Sequence, residues 1–103
     1  MENGLFFANL GQSNFEIALS YNDECRLQFP NVGTYKGFNA ATLGHLNRDG
    51  EARTALEEYL AIRPNLKKKS DYKKIFVPNS TLADILIEGL VKAGWQPEVE
   101  EAF

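Results

Sequence analysis

The phrase "GEARTALEEYLAIRPN" (Gly50–Asn65) reads as an amphipathic helix stopped by a proline. Ala52, Ala55, Leu56, Tyr59 and Leu60 stand at i, i+3, i+4, i+7 and i+8, so they share one face at the α-helical period. Asp49 is placed to cap the start, and Pro64 ends it. A second phrase of similar construction, "FEIALSYNDECRLQFPN" (Phe15–Asn31), lies upstream and closes on the same Pro-Asn pair. There Ala18, Tyr21, Cys25 and Phe29 trace a comparable stripe, with Asn14 as the expected cap.

The recurrence has a definite pitch. Pro30-Asn31 returns as Pro64-Asn65 after 34 residues, and at that spacing Ala18 falls on Ala52. Further upstream, Ala8-Asn9-Leu10-Gly11 is similar to Ala41-Thr42-Leu43-Gly44 at a spacing of 33, which predicts a first inter-helix turn of slightly different length. Each unit reads as two helices. In the second unit the first helix is expected from about Gly33 to Leu46, broken by Asn47-Arg48-Asp49-Gly50.

A helix-turn-helix unit of this pitch, with small residues where helices cross and a proline closing the unit, resembles the tetratricopeptide repeat. The residues that carry the resemblance are Ala18 and Ala52, Pro30 and Pro64, Ala40 in the first helix of the second unit, and Cys25 late in the second helix of the first. Two slots depart from it: Phe6 stands where Ala40 would repeat and Tyr59 where Cys25 would, and such bulk should push the paired helices apart. The resemblance covers about Leu5 to Asn65 and implies an all-α, right-handed stack of two helical hairpins with a final capping helix, five helices in total.

Downstream, Lys67-Lys68-Lys69-Ser70-Asp71-Tyr72-Lys73-Lys74 reads as a solvated basic connector within 67–79. A last helix follows over 80–95, started by the capping-box spacing of Thr81 and Asp84 and ended by Gly94, with Trp95 folding back onto Leu90. Its face of Leu82, Ile85, Leu86, Gly89, Leu90 and Ala93 is expected to lie on the preceding helix, over Leu56 and Leu60, because stacked hairpins need a lid. Residues 96–103 read as an acidic tail. The order of "LEEYLAIRPN", basic connector and "LADILIEGLVKAGW" is also similar to the C-terminal repeat region of bacterial class III adenylate/guanylate cyclases and related regulators. That similarity implies a regulatory segment and no cyclase chemistry, since no cyclase catalytic residues are present.

Composition narrows the function classes. The chain has 103 residues, 44% hydrophobic and 24% charged, as one small globular domain would. A net charge of −3 argues against nucleic acid as a partner. No apolar run approaches the roughly 18–20 residues that cross a bilayer, and the N-terminus lacks a signal-peptide pattern, so a cytoplasmic protein without a membrane partner is expected. One cysteine and one histidine leave no basis for a disulfide or a metal cluster, and no phosphate-binding glycine motif occurs. Glu57 and Glu58 diverge by about 100° on a helix and read as a solvated face rather than a catalytic pair. Cys25 reads as a small buried residue and His45 as a surface or groove-edge residue without a nucleophile to serve.

The chain is therefore expected to be a non-enzymatic module, without cofactor or metal, that binds a protein or peptide. The tetratricopeptide resemblance implies recognition on the concave face, with Phe7, Thr34, Phe38, Ala41 and His45 as candidate partner-binding residues. Gly37, Ala41 and Gly44 form a small-residue stripe with two open readings, close packing against the first unit or the floor of that groove. An apolar segment, such as a helix laid in the groove, fits it better than a carboxylate-ended peptide. Leu5, Phe6 and Phe7 have no earlier repeat to cover them, which points to self-association through the N-terminal helix or to a domain upstream.

Overall fold

Six helices make up about three-quarters of the described residues: α1 (Asn3–Gly11), α2 (Phe15–Gln28), α3 (Thr34–His45), α4 (Asp49–Ile62), α5 (Lys69–Lys73) and α6 (Ser80–Ala93). The structure is a computed structural model and describes residues 3–74 and 80–98; no strand occurs among them. The all-α expectation holds, with one helix more than the sequence suggested.

The 34-residue pitch is written into the backbone. α2 and α4 are both 14 residues long and start 34 residues apart. The residues preceding them, Asn14 and Arg48, have φ/ψ of −87/69° and −86/72°. Those that follow, Phe29 and Arg63, have −130/66° and −129/63°. The turns inside the hairpins match as well. Ser13 and Asn47 both adopt the left-handed conformation, at φ 63° and 60°. The amide of Ser13 donates to Leu10 O and that of Asn14 to Asn9 O, while Asn47 donates to Gly44 O and Arg48 to Leu43 O. Both are Schellman turns, which satisfy the last carbonyls of a helix through one left-handed residue. The two inter-helix turns are therefore equal in length. The 33-residue similarity of Ala8–Gly11 to Ala41–Gly44 is a coincidence of composition, because Asn9 is the structural counterpart of Leu43. Asp49 is the first residue of α4 rather than its cap.

Bulk at the Cys25-like position does not force α3 and α4 apart. The Tyr59 ring, 1% exposed, lies over Gly37: a Cβ at Gly37 would stand only 2.7 Å from Tyr59 Cζ. A missing side chain on α3 receives a large one from α4, so the pair conserves volume. Phe6 is likewise accommodated. It is 1% exposed and stacks on Phe38 with ring centroids 4.9 Å apart. Phe6 is thus covered by the chain itself and Phe7 half-covered, while Leu5 beside them remains well exposed, at 46%.

The basic connector holds α5. The Asp71 carboxylate accepts the amides of Lys68 (2.9 Å) and Lys67 (3.1 Å), and Tyr72 is buried at 1% exposure. Spaced 34 residues from Phe38, Tyr72 pins the segment to the core as Phe38 pins α3.

α6 does not lie chiefly on α4. Its most extensive contacts are with α3, with smaller ones to α4, α5 and α1. At the crossing two glycines meet: a Cβ on Gly44 would overlap the Gly89 carbonyl oxygen, and one on Gly89 would overlap the Ala41 carbonyl oxygen. Leu86 and Leu90 are fully buried beneath the helix. The helix ends as its sequence predicts. Gly94 has φ +120°, its amide donates to Val91 O and that of Trp95 to Leu90 O, and Trp95 is 5% exposed. Thr81 lies inside α6 rather than at its cap, and Asp84 faces Lys73 Nζ at 3.4 Å.

Candidate functional site

The five residues selected from the sequence are not brought together as an open groove. Phe38 (3% exposed) and Ala41 (0%) are core residues. Phe7 is half-buried, with its ring 5.4 Å from that of Phe38 in an edge-on contact. Thr34 opens α3 and is half-buried. His45 ends α3, where its ring stacks on Phe15 at 4.3 Å with planes 1° apart. His45 Nε2–H donates to the carbonyl oxygen of Ile85 at 2.7 Å. The α3 face carrying Ala41, Gly44 and His45 is therefore occupied by α6, whose Leu82 also reaches Gly11 of α1.

This placement separates the two readings of the small-residue stripe. Gly37 packs against Tyr59 of α4, and Ala41 and Gly44 pack against α6, so the stripe serves close packing, though not against the first unit. Helix interiors with glycine cost roughly 0.5–1 kcal/mol relative to alanine. Here that cost is offset by backbones that approach closely enough for Leu86 and Leu90 to be excluded from water.

The open side of the molecule is the opposite one. α2 and α4 both pack on α3, and a groove runs between them over it. One part, about 490 Å³, has Leu19, Leu43 and Ala55 in its walls and Glu51 and Glu58 at its edge. The adjoining part, about 570 Å³, is walled by Leu27, Phe29, Pro30 and Val32. Asp23, Arg26 and Glu58 border both parts, and Asp23 and Arg26 are ion-paired at 2.9 Å. Leu27 is 83% exposed, and Phe29 and Val32 are more than two-fifths exposed, so this end of the groove is an apolar surface in water.

Two further buried residues were not singled out from sequence. Asn22, 1% exposed, donates from Nδ2 to Tyr35 O at 3.0 Å and ties α2 to the first turn of α3. It stands at the position of Leu56 in the next unit, so its polarity interrupts a stripe that is otherwise apolar. Tyr72 is the other. Burial pushes its phenol well above the ordinary range, and the nearby Tyr59 adds to that; burial also raises Tyr59, against the opposing influence of Arg63. No protein-family model, curated protein or solved structure matches this chain at a significant level.

Proposed function

We propose that the chain is a polypeptide-recognition module of two tetratricopeptide-like hairpins in a right-handed stack, in which α6 is the resident occupant of the face formed by α1 and α3. The observation that carries this reading is the recurrence of helix length, cap torsions and left-handed turn residue at one 34-residue pitch. Repeated hairpins of this kind bury one another and leave long surfaces of fixed shape. The expected guest of the inner face, an apolar helix, is supplied in cis, with Gly89 as its point of closest approach. A separate partner then uses the α2–α4 groove, seating apolar side chains against Leu27, Phe29 and Val32 beside the Asp23–Arg26 ion pair.

Affinity purification from the source cell tests this, comparing wild type with a Leu27→Glu/Val32→Glu double variant. Both residues are exposed, so the variant should fold as judged by circular dichroism. One defined partner, retained by wild type and lost by the variant, is the expected result. A partner bound equally by both refutes the groove, and the absence of any polypeptide partner refutes the module. Phe38→Glu is unsuitable for this test, because it places a carboxylate in the core.

A further inference from the structure

The stretch Arg63–Lys74 carries six basic residues against one acid, a local charge of +5 in a chain of net −3, so the remaining residues together carry −8. This charge is held on ordered backbone. Leu66 and Tyr72 are buried, and Asp71 uses its carboxylate on the amides of Lys67 and Lys68. Lys73 faces Asp84 at 3.4 Å. Among the described residues no carboxylate forms an ion pair with Lys67, Lys68, Lys69 or Lys74. Beside them is a notch of about 340 Å³, walled by Ile62, Pro64 and Leu66 and edged by Arg63, Asn65, Lys74 and Asp71, whose carboxylate is turned to the Lys67 and Lys68 amides. Ile62 is 44% exposed there. The chain also shows how an extended segment can lie along this ridge: the Glu98 amide donates to Lys67 O at 2.7 Å, a backbone contact made from non-helical chain.

We infer that the Arg63–Lys74 ridge is a second interaction surface, one that docks a short acidic polypeptide segment carrying an apolar anchor. The acids meet the lysines and the anchor enters the Ile62–Leu66 notch. The confinement of the positive charge favours this partner over other anions. A nucleic-acid backbone or an anionic bilayer extends past the ridge and meets the −8 of the remaining surface, whereas a short segment meets only the ridge. α5 has five residues, too few for a basic amphipathic helix lying on a membrane.

The test is fluorescence anisotropy of the full chain with a labelled peptide bearing three acids on each side of one leucine. The comparison probes are the same peptide with amides for acids, an oligothymidylate, and phosphatidylserine vesicles. Saturable, salt-weakened binding of the acidic peptide alone is expected, reduced about tenfold in Lys67→Glu/Lys74→Glu. It should be unchanged in Lys92→Glu, whose lysine pairs with Glu88, and in Leu27→Glu/Val32→Glu, which separates this surface from the groove. Replacing Ile62 by Ser should weaken the acidic peptide but not a variant peptide with glycine for leucine. Equal binding of the amide peptide, preference for the oligonucleotide or the vesicles, or no peptide binding overturns the inference. So does binding that appears only after Glu100→Gln/Glu101→Gln, which would make the chain's own acids the occupant.

Discussion

Adding a single methyl group at Gly44 or Gly89 should do more damage than its size suggests. A Cβ at Gly89 would lie 2.8 Å from the Ala41 carbonyl carbon and 2.7 Å from His45 Cδ2, and would overlap the Ala41 carbonyl oxygen. Ordinary contact begins near 3.4 Å, so the shortfall at the carbonyl carbon alone is 0.6 Å. A Cβ at Gly44 would meet Ala93 N at 3.0 Å and overlap the Gly89 carbonyl oxygen. The obstacles are mostly backbone, which cannot rotate aside, so α3 and α6 must separate. Overpacking of this kind costs about 1–3 kcal/mol, and parting the helices loosens Leu86 and Leu90 as well. Alanine recovers roughly 0.5–1 kcal/mol of helix preference, leaving a net loss on the order of 1–2 kcal/mol for either variant. For a domain of this size that corresponds to a fall in Tm of about 5–15 °C. Thermal unfolding followed by circular dichroism measures it, with Gly50→Ala as control. Nothing lies within 4 Å of a Cβ at Gly50, so that variant should be neutral or stabilised by up to about 1 kcal/mol. Gly44→Ala and Gly89→Ala proteins as stable as wild type would refute the close approach of α3 and α6.

Three further outcomes follow from the packing. Gly37→Ala should destabilise by about 1–3 kcal/mol through the Tyr59 ring, and Tyr59→Leu should relieve part of that in a double-mutant cycle; additive effects would show that the two do not share space. Ser13→Gly should stabilise by roughly 0.5–1 kcal/mol in urea unfolding, because Ser13 holds φ 63°, while Asn47→Gly should gain less, asparagine being tolerant of that region; a loss at Ser13 would contradict the turn. Tyr59 and Tyr72 hold their protons more tightly when folded than the unfolded value of about 10. Their contribution to stability is therefore complete below that pH and declines as pH rises above it, with tyrosinate absorbance from both appearing together with unfolding. Ionisation of all four tyrosines with the helical signal intact would disprove their burial.

What could be read from the chain alone was local. The apolar stripe of α4, the proline stops and the Gly94–Trp95 helix end each depend on residues within a few turns of each other, and the 34-residue pitch is the recurrence of such local patterns, so periodicity and capping report them directly. The equal turns, by contrast, rest on Ser13 and Asn47 adopting the same left-handed state. Similarity of residue names suggested a different alignment, because two unlike residues can serve one torsion.

The choice of neighbours belonged to tertiary structure. Gly37 and Tyr59 each look like a defect in its own helix, and only their juxtaposition makes them complementary. The same holds for α6. Its apolar face is expected on α4 by pattern, but Gly44 and Gly89 let the backbones of α3 and α6 meet, and that fit buries Leu86 and Leu90 completely. Of the candidate residues chosen for the inner face, Ala41 and His45 consequently became foundation for α6 and Phe38 part of the core, and the open groove lies on the other side. Sequence determines which faces must be covered; shape, acting between residues distant in the chain, decides what covers them, because steric fit has no signature in local periodicity.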